Sequence, residues 1–146
     1  ESVTFKRKDN VRWFRAMQIE FLSRIDVGDL EGARDALARL SAFRKNFKEG
    51  SRNRASADLQ VADYAVLVRP PAERDAADAA RMRERMMLAT CHQQRENWQL
   101  YLAGYELLRG SADEAARLAS DPALEPLTPR MERLRAEVLS GLEVSG

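Results

Sequence analysis

Residues 12–40 read RWFRAMQIEFLSRIDVGDLEGARDALARL, and this stretch decides the fold. Phe14, Met17, Phe21 and Ile25 step by three or four residues, and Trp13 and Leu22 widen the same apolar stripe. That spacing lays them along one face of an amphipathic helix running from Arg12 to Asp26. Gly28-Asp29 interrupts the pattern. Leu30, Ala33, Leu37 and Leu40 then resume it, with Phe43 and Phe47 available to extend it. A break of about three residues predicts two helices folded back as an antiparallel pair.

The same periodicity continues along the chain. Glu49 to Arg54, EGSRNR, is polar and punctuated by Gly50 and Asn53, which predicts a loop. Ala55 to Val68 is apolar on several sides (Leu59, Val61, Ala62, Ala65, Val66, Leu67), as expected of a helix buried on most of its surface. Pro70-Pro71 ends it, because a residue before proline disfavours the α region. Glu73 to Thr90 is rich in the good helix formers Ala, Arg, Met and Glu. Glu96 to Arg109 carries Trp98, Tyr101, Leu102, Tyr105 and Leu108 on one face and stops at Gly110. Ser111 to Ser120 is a short helix whose Ser111 and Glu114 have capping-box spacing. Thr128-Pro129 opens a last helix, with the stripe Leu127, Met131, Leu134, Val138 and Leu142. The expectation is an all-α chain of about seven helices with short connections.

Composition narrows the class. The 146 residues suit one domain, and 45% apolar content is normal for a chain that buries a core. Charged residues reach 32%, above the roughly 25% of typical domains, so the chain reads as a folded soluble domain rather than a disordered segment. One cysteine, Cys91, excludes an internal disulfide and a cysteine zinc cluster. One histidine, His92, argues against a histidine metal site or a Ser-His-Asp triad. Cys91 and His92 are neighbours, so on a helix they point about 100° apart and form no catalytic pair. No phosphate loop, metal-binding spacing or nucleophile elbow is present. No enzyme activity, metal or cofactor is expected. The longest wholly apolar run, Tyr64 to Val68, is far short of the about 20 residues that span a bilayer.

Two segments look alike: GDLEGARDALARL at 28–40 and GSADEAARLASDPAL at 110–124. Each follows an aromatic-bearing helix, opens with Gly, and places Ala five residues later, at Ala33 and Ala115. Gly permits a tight inter-helix turn, and Ala lets two helix backbones approach. This pattern resembles the tetratricopeptide repeat, over Phe14 to Phe43 and Trp98 to Leu124. Trp98, Tyr101 and Tyr105 match its aromatic spacing, Ala103 and Gly104 its small residue, and Asp121-Pro122 its terminal proline. Phe21 stands where the pattern has a small residue. The Gly turns lie 82 residues apart, off the multiples of about 34, so the repeats read as irregular with a long central hairpin.

The resemblance implies a single domain over residues 1–146, stacked as a right-handed superhelix of hairpins. Residues 1–10 would be a basic tail, and 127–146 the solvating cap helix and tail that such stacks need. It also implies a non-catalytic scaffold that takes a peptide or partner helix in a concave groove. Arg12, Arg15, Trp98, Tyr101 and Tyr105 are the candidate partner-binding residues, with Asn97 a further candidate. Met82, Met86 and Met87 beside the aromatic stripe read either as core or as an adaptable groove, core being favoured.

Charge is unevenly spread. Residues 1–54 hold 13 basic and 8 acidic residues, and residues 55–146 hold 11 and 15. The basic half leaves a homodimer, a membrane surface or an acidic partner open to it. Arg44, Lys45, Lys48, Arg52 and Arg54 form a basic surface with Phe43 and Phe47 interleaved. A nucleic-acid-binding helical domain using this segment is the alternative, weighed below a protein-contacting surface. Lys6-Arg7-Lys8 fits either a solubilising tail or the cytoplasmic flank of a membrane span. The missing initiator Met reads as an excised or processed piece, for which a membrane-anchored parent is one origin. The Arg-to-Lys ratio of 20 to 4 with abundant Ala suggests a bacterial source. Secretion and polysaccharide-export complexes, at the cytoplasmic face of a membrane, are the corresponding setting.

Overall fold

The computed structural model describes residues 7–124 and 128–145. Seven α-helices and two short 3-10 turns make up the described residues, and no strand occurs among them. The helices are α1 Arg7–Asp26, α2 Leu30–Phe43, α3 Arg52–Val68, α4 Ala76–Leu88, α5 His92–Leu108, α6 Ala112–Ala119 and α7 Pro129–Ser145. The 3-10 turns are Arg44–Asn46 and Pro71–Glu73. The chain divides into two compact units, residues 1–68 and 69–146.

In the first unit α1 packs on α2, and α2 on α3. The core is Phe14, Phe21, Ile25, Ala33, Ala36, Leu40, Tyr64 and Val66. Phe21 is wholly buried, its ring stacked on Tyr64 at 4.3 Å between centroids. In the second unit α5 is central, with α4, α6 and α7 all packed against it. Its buried residues therefore run round the helix: Leu100, Tyr101, Leu102, Ala103 and Tyr105, with Glu96, Gln99 and Glu106 among them.

The two similar sequence segments build the same turn. After α1, Gly28 has φ +80°, its N–H donates to Ile25 O at 3.0 Å, and Asp29 N–H donates to Arg24 O at 2.9 Å. After α5, Gly110 has φ +89°, its N–H donates to Leu107 O at 3.1 Å, and Ser111 N–H donates to Glu106 O at 2.9 Å. Both are helix ends of the Schellman type, in which a left-handed residue lets the chain satisfy the last free carbonyls. Ala33 and Ala115, five residues after each Gly, are both wholly buried.

Several boundaries differ from the sequence reading. The helix expected from Arg12 begins at Arg7, with Asp9 in its first turn, where a carboxylate favours the positive helix end. The last four residues of the expected N-terminal tail are thus helical, while residues 1–6 lie outside the described residues. The loop expected through Arg54 closes at Ser51, whose hydroxyl accepts from Arg54 N–H at 3.1 Å and starts α3 early. The helix expected from Glu73 starts at Ala76, because the Asp75 carboxylate accepts from Asp78 N–H at 3.0 Å and caps it. The helix expected from Glu96 starts at His92.

The capping box expected at Ser111 and Glu114 does not form. Its glutamate would reach back to Ser111 N–H, which Glu106 O already holds. Glu114 instead accepts from Arg117 at 2.6 and 3.1 Å. Thr128 does cap α7, its hydroxyl accepting from Met131 N–H at 3.2 Å. Leu127 lies outside the described residues. Trp13, Leu22, Leu30, Leu59 and Leu108, all expected on buried faces, are exposed. Of the Met82–Met87 group, Met82 is wholly buried and Met87 is exposed.

Candidate functional site

A groove runs along the first unit between α1 and α3. Val11, Arg15 and Gln18 of α1 form one wall, spaced by four and three residues so that they share a helix stripe. Asn53 and Ser56 of α3 form the other. The floor is Phe14, Phe47 and Ala57, all buried. Phe47 follows the 3-10 turn in extended conformation, and its ring meets Phe14 edge-on at 5.6 Å and Phe43 at 6.3 Å. The hollow measures about 170 Å³. Gln18 also hydrogen-bonds the Tyr64 hydroxyl, as does Gln60. Burial pushes the Tyr64 phenol up to about 12, with nearby Asp63 adding to the shift.

A second cleft adjoins the first, sharing Phe47 and Asn53, and measures about 290 Å³. Asn10, Asn46, Lys48, Ser51 and Arg52 line the rest of it. The two hollows together offer an apolar floor with a polar, basic rim. Such a surface takes an extended or helical segment with apolar anchors and a negatively charged flank.

The expected basic segment is only partly free. Arg44 and Arg54 both turn onto Asp58, at 2.6 and 3.2 Å. The Arg44 hydrogen bond, ahead of the Arg54 one, holds the Asp58 carboxyl below its usual range. Lys45, Lys48 and Arg52 stay exposed and make no ion pair among the described residues. Phe47, which helical spacing put on the apolar stripe, is buried under the groove.

The candidate partner-binding residues divide between the units. Arg15 lies in the α1–α3 groove. Arg12 is exposed on α1 three residues earlier, outside the lining of the groove. Trp98 is half-buried on α5, 6.4 Å from the Tyr101 ring, and Asn97 is half-buried beside it.

Tyr101 and Tyr105 are buried, because α5 is covered by three helices of its own unit. Arg74 and Arg130 both lie over the Tyr101 ring, at 5.6 and 5.4 Å from its centroid. Arg130 also donates to the Tyr101 hydroxyl, and Arg74 donates to its carbonyl at 3.3 Å. Arg109 donates to the Tyr105 hydroxyl at 3.0 Å. Arg74 is itself buried, and that desolvation lowers its pKa.

Several carboxylates of the second unit are interior. Asp78 is buried and takes two hydrogen bonds from Arg69. Buried Glu106 takes Arg83 at 2.7 Å. His92 opens α5 and pairs with buried Glu96, while Cys91 is exposed. Val11, Gln18, Asn53 and Ser56 are the groove residues that sequence reading missed. The helical spacing of Val11, Arg15 and Gln18 was the available signal.

Comparison of the chain with protein-family models, curated proteins and solved structures gives no match. Among the described residues no helix is long and apolar enough to cross a membrane.

Proposed function

We propose that the chain is a non-catalytic interaction scaffold of tetratricopeptide-like hairpins, and that the α1–α3 groove receives a peptide or partner helix. The observation that carries this reading is the groove itself, with a buried apolar floor, amide-bearing walls and a cation, Arg15, on its rim. In the hairpin reading α1 and α3 are the first helices of successive units, the helices that line the groove in such stacks. The recurrence of one glycine turn at Gly28 and Gly110, each followed by a wholly buried alanine, supports the repeat. Arg15 acts as the charged contact and Gln18 as the hydrogen-bonding contact. A bacterial membrane-associated complex, with this chain on the cytoplasmic side, remains the setting the composition favours.

A photo-crosslinking residue tests the reading when placed at Gln18, with the exposed Ala38 of α2 as control. The expected result is a discrete protein adduct from position 18, none from position 38, and loss of the adduct in the Arg15→Glu variant. Equal labelling at both positions, or an adduct indifferent to Arg15→Glu, would overturn it.

A further inference from the structure

We infer that the cleft at the start of α3 is a binding site for a small phosphomonoester. This inference is independent of what occupies the α1–α3 groove. Five cations fall within residues 44–54, and the fold treats them in two ways. Arg44 and Arg54 are neutralised on Asp58. Lys48 and Arg52 line the cleft and make no ion pair among the described residues.

The rest of the polar lining is amide and hydroxyl, with no carboxylate. Asn10, Asn46 and Asn53 each bring an –NH₂ group with two donors. The one hydrogen bond between the lining amides, Asn10 Nδ2 to Asn46 O, is long at 3.5 Å, so this donor is weakly committed. Ser51 is already used, donating to Lys48 O at 2.5 Å and accepting from Arg54 N–H, and so shapes the cleft without facing a ligand.

Two unpaired cations and several spare N–H donors call for a ligand with two negative charges and several acceptor oxygens. A phosphomonoester carries about −1.5 to −2 near neutral pH and three acceptor oxygens. A carboxylate or a phosphodiester carries one charge and leaves the second cation uncompensated. The cleft volume of about 290 Å³ sits at the lower edge of the roughly 300–1,000 Å³ of small-molecule sites. That size admits a phosphate with a few further heavy atoms. A soluble sugar or glycerol phosphate and the headgroup of phosphatidic acid share this chemistry.

The test is a titration of the full chain with glycerol 3-phosphate at low ionic strength, read by backbone amide NMR shifts. Saturable shifts are expected at Asn10 and Asn53. Lys48→Gln and Arg52→Gln should each weaken binding at least about tenfold, since each removes a charge-assisted hydrogen bond. Lys45→Gln, an exposed cation outside the cleft lining, should change it less than about twofold, the scale of a screened surface charge. Binding should fall as the pH drops through about 6, where the phosphate loses its second charge. These side chains are exposed, and circular dichroism of each variant checks that the helices are intact.

Vesicles of phosphatidylcholine with and without phosphatidic acid form the second arm. Capture that needs phosphatidic acid and is lost in Lys48→Gln assigns a lipid source. Binding of glycerol 3-phosphate alone assigns a soluble one, and both outcomes uphold the site. The inference fails if no saturable shift is seen up to about 10 mM, beyond the millimolar range of a weak site. It also fails if acetate binds equally well, or if Lys45→Gln costs as much as Lys48→Gln.

Discussion

Replacing Gly28 or Gly110 with alanine adds one methyl group at two places 82 residues apart in sequence. Both glycines hold a left-handed backbone, φ +80° and +89°, and a Cβ at either would meet no atom within 4 Å. Sterics against the rest of the fold therefore contribute nothing, and the backbone alone sets the cost. An L-residue in the left-handed region costs roughly 1–2 kcal/mol. Alanine also loses less entropy on folding than glycine, which returns about 0.4–1 kcal/mol. The expected net loss is between about 0 and about 1.6 kcal/mol at each site.

Gly104→Ala is the control. Gly104 lies inside α5, and its Cβ would stand 3.9 Å from Val138 Cγ2, an ordinary contact. The same methyl group should stabilise there by about 0.5–1 kcal/mol through helix propensity. Urea unfolding followed by circular dichroism reads all three variants, with unchanged m-values licensing the comparison. Gly28→Asn and Gly110→Asn should cost less than the alanines, because Asn tolerates this region. A gain in stability from Gly28→Ala or Gly110→Ala would refute the shared turn geometry. So would losses at the two sites differing by more than about 1 kcal/mol, twice the spread expected of equivalent, independent sites.

Further outcomes can be measured on the same material. Phe21→Ala should cost about 3–5 kcal/mol in urea unfolding, because the ring is wholly buried and stacked on Tyr64. Thr128→Ala should cost about 1 kcal/mol through loss of its cap, whereas Ser111→Ala should cost less, since its hydroxyl makes no cap bond. Tyr64 holds its proton more tightly folded, at about 12, than unfolded, at 10.0, so stability should be intact below pH 10 and fall as pH rises from 10 towards 12. Tyr64→Phe should flatten that alkaline slope in urea unfolding. Asp58 is shifted the other way, so its contribution should be present above pH 3.8 and fade as the pH drops below that value. Asp58→Asn should reduce the acid slope of thermal unfolding.

Much of the fold was legible because its signals are local. The turn at Gly28 needs only a residue that accepts positive φ and a neighbour that starts a helix, and Asp29 caps α2 through Gly32 N–H at 2.9 Å. Thr128-Pro129 is equally self-contained. Where a local signal failed, a partner from elsewhere had intervened. Glu114 lost its role as a capping residue because Ser111 N–H was already taken by Glu106 of the preceding helix. Asp78 is met by Arg69, nine residues upstream across Pro70-Pro71, a pairing that helix spacing does not encode.

The candidate site was less legible than the fold. Arg15 was within reach as a basic residue on the first helix. Its groove was not, because the opposite wall, Asn53 and Ser56, lies about 40 residues further on in a segment read partly as loop. The aromatic stripe Trp98, Tyr101 and Tyr105 looked like a binding face, since amphipathic periodicity marks an apolar side without saying what covers it.

The sequence by itself determined that the chain is helical, where most helices stop, and that two of its hairpins turn on the same glycine geometry. These depend on backbone torsion and on contacts between residues within about one helical turn. Tertiary structure alone decided which apolar residues are buried and which arginines are neutralised. Tyr101 is interior because three helices meet on α5, and Asp58 takes Arg44 and Arg54 while Lys48 and Arg52 make no ion pair among the described residues. Such outcomes depend on which distant side chain arrives first at a given charge or surface, and periodicity carries no record of that.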